Sequence, residues 1–368
     1  MIRRLLRNSS LIINLLVISL LLLSKSACYV NPEKFWWIAF IGIAFPVFLL
    51  LNLLFLFFWL MAKPVYILFP LLGFGIVWSQ VKTFISFSSK NEMIDKNATS
   101  IMTYNVKNFD LYNWSKNKET REKVFNLIRT QHPDIICFQE FYSQSAGEFQ
   151  NQKFIQDSLG YQYSFFSKTH SKPYPKKGKL KFIMNWGTAI FSKFPITDTG
   201  KIEFPQILNN NCQWADIATA NKTIRVYNTH LQSIHLGYDD YNTLEEIEQT
   251  QKTSWAKLKN ILRKLKRAYT KRASQVMLIK KSMQNCSKPS ILCGDFNDPP
   301  VSFTYHQLSR NMQDAFIKKG NGVGGTFVNS LNLFRIDYML FSESFNIMSY
   351  KLIREKYSDH YPAIVKFK

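Results

Sequence analysis

The sequence predicts an α/β protein, two packed β-sheets flanked by helices, preceded by N-terminal transmembrane helices. Three observations predict it. Most of the unbroken apolar sequence lies before Lys82. After Ser100 short apolar strands alternate with amphipathic helices, the order expected when helices pack on sheets. Several of these strands end on polar residues, as in open α/β sheets that carry a site at their strand ends.

In chain order, the apolar part comes first. Residues 1–10 carry Arg3, Arg4 and Arg7, and an apolar run extends from Leu11 to Leu23. A basic start and apolar centre also fit a signal peptide, with SKSA as its cleavage site. A second run, Phe35 to Met61, comes almost at once. At roughly 1.5 Å per residue it exceeds the ~30 Å bilayer core. A third, Val65 to Trp78, contains Pro70, Gly73 and Gly75, and reaches spanning length by continuing to Phe87. Residues 1–87 therefore read as an anchor of two or three transmembrane helices, 88–99 as a polar linker, and 100–368 as the soluble domain. The arginines favour a cytoplasmic start. Three crossings then put the domain outside, and two keep it in the cytoplasm.

The formal net charge is +22, and the excess of Lys and Arg lies after the apolar part. It points to phosphate esters, nucleic acid or an anionic lipid surface, against the plainer reading of a solvated basic exterior. Cys28, Cys137, Cys212, Cys286 and Cys293 lack CxxC spacing, which predicts neither a disulfide framework nor a structural zinc site.

In the soluble part, SIMTYNV is a strand ending at Asn105, and residues 119–130 are a helix with Val124, Leu127 and Ile128 on one face. PDIICFQEF ends near Glu140, WGTAIF is a further strand, and TIRVYNTHL ends at His230. A long helical region covers 241–284. ILCGDFND then stops sharply at Gly294, Asp295 and Asn297, with Pro299 and Pro300 behind. RIDYMLFS carries Asp337 at its start, and Ser358, Asp359 and His360 precede the last strand.

The residue types are informative. Carboxylates are hard oxygen ligands suited to Mg²⁺, and thiolates are missing from the set. Histidines serve as bases or donate to phosphoryl oxygens, and Asp337 suits the task of orienting His360. Together they fit metal-assisted hydrolysis of a phosphate ester. Each has a structural alternative: Asn105 as a turn cap, Glu140 as a surface strand end, His230 as a core histidine, Asp337 as a partner of Arg335.

Asn105, Gln139-Glu140, Thr229-His230-Leu231, the GDFN of 294–297, the RIDY of 335–338 and the SDH of 358–360, in this order, resemble the endonuclease/exonuclease/phosphatase (deoxyribonuclease I-like) superfamily. The likeness covers residues 100–368 and is to its membrane-anchored bacterial type. It implies a four-layer α/β sandwich and Mg²⁺-dependent phosphoester hydrolysis, with Mn²⁺ as a substitute. By motif, Glu140 is the metal ligand with Asn105 beside it and Asp359 near the metal. Asp295 orients or activates water, Asn297 binds phosphate, His230 stabilises the phosphoryl group, and Asp337 holds His360. Thr188, in WGTAIFSKFPI, stands where a substrate contact is found. The general base stays open between Asp295 and the His360–Asp337 pair. Abasic-site endonucleases carry an acidic residue where Lys107 stands and lack a counterpart of His230. Both departures point to the deoxyribonuclease and lipid-phosphodiesterase side.

The favoured function is a multi-pass, inner-membrane phosphodiesterase facing the outer, periplasmic side and acting on nucleic acid. The alternatives are a phospholipid, sphingomyelin or phosphoinositide headgroup as substrate, or a catalytically inactive binding domain. No protein partner is predicted, and His132, His170, His235 and His306 receive no role. In the 233–281 connection, Trp255, Leu258, Ile261, Leu262 and Leu265 share a helical face, with basic residues over most of the rest. That predicts a helix packed on the sheet, or else a contact to phosphate backbone or lipid headgroups.

Overall fold

The computed structural model describes residues 2–88, 97–176, 179–205, 210–220, 222–234, 255–328 and 333–368. Most of the expected linker, and the start of the long helical connection with His235, lie outside the described residues. The chain forms two compact units.

The first unit comprises Met1–Thr83, Gln232–Val276 and Asp298–Gln307. Its N-terminal helices are α1 (Ile2–Ser26), α2 (Pro32–Ile43), α3 (Phe45–Ala62) and α4 (Leu68–Phe84). Among the described residues, the segments Arg4–Ser26, Phe45–Ala62 and Pro64–Phe84 are long and apolar enough to cross a membrane. The second apolar run is not one helix. Pro46 lies in the first turn of α3, where its missing N–H costs nothing, but it cannot continue α2. Two buried asparagines sit in these apolar helices. Asn14 Oδ1 accepts from Trp59 Nε1 at 3.0 Å, and Asn52 Nδ2 donates to the Pro70 carbonyl at 3.0 Å. Such bonds hold apolar helices together where hydrophobic burial does not.

The second unit comprises Phe84–Leu231, Met277–Asn297 and Leu308–Lys368. One sheet runs in the order β13 (Ile347–Leu352), β14 (Ala363–Phe367), β2 (Thr99–Asn105), β3 (Ile135–Gln144), β5 (Lys179–Ser192), β4 (Tyr163–Lys176). The other runs β10 (Gln313–Asp314), β12 (Asp337–Phe341), β9 (Ser290–Asp295), β8 (Thr223–His230), β7 (Asn211–Ala218), β6 (Ile196–Ile202). Both are mixed, because β2–β3 and β8–β9 are parallel and the other pairs antiparallel. A short pair, β1 (Ile85–Phe87) with β11 (Asn321–Val323), stands apart.

Alternation along the strands divides their side chains between two faces. Ile101, Ile135, Cys137 and Ile190 meet Ile217, Val226, Ile291 and Met339 between the sheets. The outward face of the first sheet, with Met102, Tyr104, Ile136 and Phe138, is covered by α5 (Thr120–Gln131) through Val124, Phe125 and Ile128, and by α6 (Asn151–Leu159) through Ile155. Behind the second sheet, Tyr227 Oη reaches the Ser282 carbonyl on the last turns of α7 (Trp255–Gln284) at 3.4 Å. This is the expected four-layer α/β sandwich.

Where β9 ends, Gly294 has φ +141°, and a Cβ there would lie 2.0 Å from the Thr229 carbonyl oxygen. Only glycine lets β8 and β9 close up beside the two polar residues that end them.

Candidate active site

Register brings three of the polar strand ends side by side. His230 pairs across β8–β9 with Asp295, and Asp295 pairs across β9–β12 with Asp337. Asn105 ends β2 in the other sheet. Glu140 sits in a bulge of β3 between Phe138 and Phe141, at φ +48°. A bulge re-aims a side chain, and a left-handed non-glycine residue is a strained conformation of the kind held at functional sites.

Asp295 is the centre, with 1% of its surface exposed. Its Oδ1 accepts the Asn297 backbone N–H at 2.8 Å, and its Oδ2 accepts from Asn105 Nδ2 at 3.1 Å and Asn297 Nδ2 at 3.3 Å. The same Oδ2 lies 3.7 Å from both His230 Nε2 and His360 Nε2. Asn105 Nδ2 also reaches Glu140 Oε1 at 3.3 Å, and His230 Nε2 is 3.8 Å from that oxygen. His360 Nδ1 is bonded to Asp337 Oδ2 at 2.9 Å. Ser358 Oγ donates to the Asn105 carbonyl, which ties the SDH loop to β2.

The electrostatics separate the groups. Burial pushes the Asp295 carboxyl up to about 6, with Asp337 adding to the rise and the two histidines opposing it. For His360 burial works against the charge, but Asp337 and Asp295 outweigh it and hold the imidazole protonated up to about 10. Glu140 is raised, first by desolvation and then by Asp359. Asp359 is lowered: burial resists, but His360 and Lys107 prevail. Lys107 Nζ lies 2.7 Å from Asp359 Oδ2.

The expected residues therefore converge. Glu140, Asn105, Asp295, His230, His360, Asp337, Asn297 and Asp359 form one connected set. Arg335 does not take Asp337, because its guanidinium pairs with Asp314 at 2.8 Å. Thr188 stands further back: it is buried, and its Oγ1 donates to Asn211 Oδ1 at 2.9 Å. Asn211 is the β7 partner of His230. The amide hydrogens of Asn297 go to the Leu231 carbonyl and to Asp295, so this side chain fixes the carboxylate. Beneath lie Gln139, which the Gln139-Glu140 motif includes without a role, and Asn228, which no motif singles out. Gln139 Nε2 donates to Asn228 Oδ1 at 2.7 Å, and Asn228 Nδ2 donates to the Phe138 and Ala189 carbonyls. This buried clasp joins the two sheets directly under the site. A lone Asn inside an alternating strand gives no sign of it.

Among the described residues, two clusters compete for a divalent cation. Asp295, Asp337 and His360 have ligand-type atoms within 4.8 Å of one another. Their ligand atoms are already engaged: Asp337 bonds His360 Nδ1, and Asp295 accepts from Asn105 and Asn297. Glu140, Asp359 and the amide of Asn105 offer hard oxygens. The carboxylates of Glu140 and Asp359 lie close enough that Asp359 raises Glu140, a cost a cation between them would offset. This donor set fits a hard divalent ion.

A two-sheet sandwich with carboxylates, amides and histidines gathered at one rim defines a phosphoester hydrolase. The chain belongs to the Endonuclease/Exonuclease/phosphatase family, whose model matches residues 102–360, and it is a hydrolase acting on phosphate ester bonds. Enzymes of this family depend generally on a divalent metal. A second family model, a domain of unknown function, matches residues 3–84. Solved structures share the fold. An endonuclease/exonuclease/phosphatase from Beutenbergia cavernae is 15% identical with a TM-score of 0.53, covering 74% of this chain and 72% of its own. An endonuclease/exonuclease/phosphatase family protein from Bacteroides thetaiotaomicron is 17% identical with a TM-score of 0.51, covering 73% and 94%. A mannosyl-6-phosphatase from the same organism is 18% identical with a TM-score of 0.50, covering 73% and 99%. No curated protein matches the chain.

Proposed function

We propose that the protein is a membrane-anchored, Mg²⁺-dependent phosphodiesterase acting on nucleic acid, with Mn²⁺ able to replace Mg²⁺. The observation that carries the reaction is Asp295 Oδ2, placed 3.7 Å from two histidine Nε2 atoms and bonded to two asparagines. Glu140, Asn105 and Asp359 would hold the metal. When bound, it neutralises charge on the phosphoryl oxygens. His360 already holds its proton, which leaves Asp295 as the better base: its Oδ2 takes a proton from the attacking water. Water oxygen then bonds to phosphorus as the ester P–O bond breaks, and the leaving oxygen departs as an alkoxide that takes a proton from solvent. His360, oriented by Asp337, and His230 donate to the phosphoryl oxygens where negative charge builds. Asn297 keeps Asp295 aimed.

Nucleic acid is favoured by the segment after Asn105. Tyr112 and Trp114 are 57% and 52% exposed with ring centroids 5.3 Å apart, and Lys107 Nζ, paired with Asp359, sits 4.6 Å above the Trp114 ring. Exposed aromatics beside a cation suit a base stacked next to its phosphate. A panel of DNA, RNA, sphingomyelin and phosphoinositide, with and without Mg²⁺, tests this. The expected result is Mg²⁺-dependent cleavage of a polynucleotide, with Trp114→Ala raising its KM about tenfold while sparing a small bis-aryl diester. Turnover of the lipids alone would reject nucleic acid and leave the chemistry standing.

Anchoring is supported by three apolar helices and by contacts within the first unit. Lys266 Nζ lies 5.0 Å over the Trp36 ring, and the rings of Phe40 and Tyr269 are 5.6 Å apart. Residues 36 and 40 lie between the first two apolar helices, and 266 and 269 belong to the proposed catalytic region, residues 100–368. If α1 spans, these contacts require α3 and α4 to cross as a pair. With a cytoplasmic start, the domain is then periplasmic. A C-terminal reporter active only outside the cytoplasm should give signal. Silence there, with a cytoplasmic reporter live at the same point, rejects this orientation.

A further inference from the structure

We propose that the exposed face of the first half of α7 binds anionic phospholipid headgroups of the membrane in which the chain is anchored. This rests on the membrane-anchored reading above. The helix has two faces. Ile261, Ala268, Tyr269 and Arg272 are buried, at 6%, 2%, 2% and 0% exposure. Arg272 is fixed by the Gln232 carbonyl at 3.1 Å and by Asp298 at 3.3 Å, so this face has a structural task. The opposite face carries Trp255, Lys259, Leu262, Arg263 and Lys266, at i, i+4, i+7, i+8 and i+11, with Arg267 at its border. All six are exposed, Trp255 at 79%.

Packing on the sheet predicts an apolar stripe turned inward throughout. Trp255 and Leu262 depart from this and stand among cations on the outside. Large apolar groups and cations together on one surface face are the composition of a helix lying at a lipid interface. No Asp or Glu occurs anywhere in α7, so its charges have no acidic partner on their own helix. The location selects lipid over other anions. Lys266 and Tyr269 touch Trp36 and Phe40 of α2, which lies between two spanning-length helices. Phe35 and Trp37, 54% and 46% exposed, add the aromatic residues found at headgroup level. Cations held beside such a segment lie within the short reach of an anionic membrane surface.

The full chain is placed in nanodiscs of phosphatidylcholine alone or with phosphatidylglycerol, part of it bromine-labelled. Trp255 emission is isolated by subtracting the Trp255→Phe variant. The expected result is quenching that requires phosphatidylglycerol and fades with salt. In the Lys259→Gln/Arg263→Gln/Arg267→Gln variant, phosphatidylglycerol retention should fall roughly tenfold or more. Equal quenching in both disc types, none in either, or wild-type retention by the triple variant overturns headgroup binding. So does a response only to an added single-stranded oligonucleotide, which would make the face a nucleic-acid surface. Release of the chain from vesicles by alkaline carbonate would fail the anchoring itself, and this proposal with it.

Discussion

Asp295→Asn is expected to lower phosphodiester hydrolysis about a thousandfold, chiefly in kcat, with the fold retained. The substitution is nearly isosteric at a position with 1% exposure, so no cavity opens. The remaining amide oxygen still accepts the Asn297 backbone N–H, now made at 2.8 Å, which keeps the strand end in place. The amide nitrogen then faces the two histidines and the Asn105 and Asn297 amides, whose hydrogen bonds it cannot accept, and it can take no proton from water. On the proposed mechanism the chain loses its base, while the Asn297 backbone bond keeps the strand end. Hydrolysis of a bis-aryl phosphodiester with Mg²⁺ reads the rate, and circular dichroism reads the fold. Equal turnover by wild type and variant would remove Asp295 from the chemistry. A collapsed spectrum would instead assign it to structure.

The reason so much of this site was legible lies in the strand ends. GDFN, THL and QE each put polar residues at the end of an apolar strand and SDH puts them just before one, and a sheet must bring such ends to its rim whatever the loops do. The helix of residues 119–130 was legible because Val124, Leu127 and Ile128 repeat at helical spacing. Other elements left weaker traces. Strand β4, Tyr163–Lys176, is rich in Ser, Lys and Pro, so alternation is hidden, and it forms because β5 pairs along its length. The break between α2 and α3 turned on Pro46 inside a run whose hydrophobicity reads as continuous. The Gln139–Asn228 clasp depends on two strands from different sheets facing each other, a relation absent from local spacing. The Lys107–Asp359 pair is of the same kind: 252 positions separate its members, and only the closing of β14 on β2 joins them. Lys107 was visible as a departure from a family pattern and Asp359 as part of SDH, but their pairing was not.

Glu140→Gln is expected to weaken the apparent affinity for Mg²⁺ by about 10- to 100-fold or more, since losing a residue that only supports a metal ligand already costs that much. Its effect on stability should reverse with the metal. Without the ion, the Glu140 carboxylate is disfavoured by desolvation and by Asp359, so the neutral amide relieves a repulsion. The metal-free variant should therefore melt no lower than the metal-free wild type. Gln keeps an oxygen for the Asn105 Nδ2 contact, now 3.3 Å, and inherits the same strained backbone at φ +48°, so neither changes the comparison. With the ion, the order inverts. A ligand that binds only the folded state at a hundred times its Kd adds about 2.7 kcal/mol, which raises the wild-type melting midpoint by several degrees. The variant, with its Kd raised 10- to 100-fold, gains only about 1.4 to 0.4 kcal/mol at the same concentration. Thermal melts of both proteins across a Mg²⁺ series measure this crossing without any turnover. A wild-type midpoint indifferent to Mg²⁺, or a variant that rises in step with it, would place the cation elsewhere, with the Asp295–Asp337–His360 cluster the next set to test.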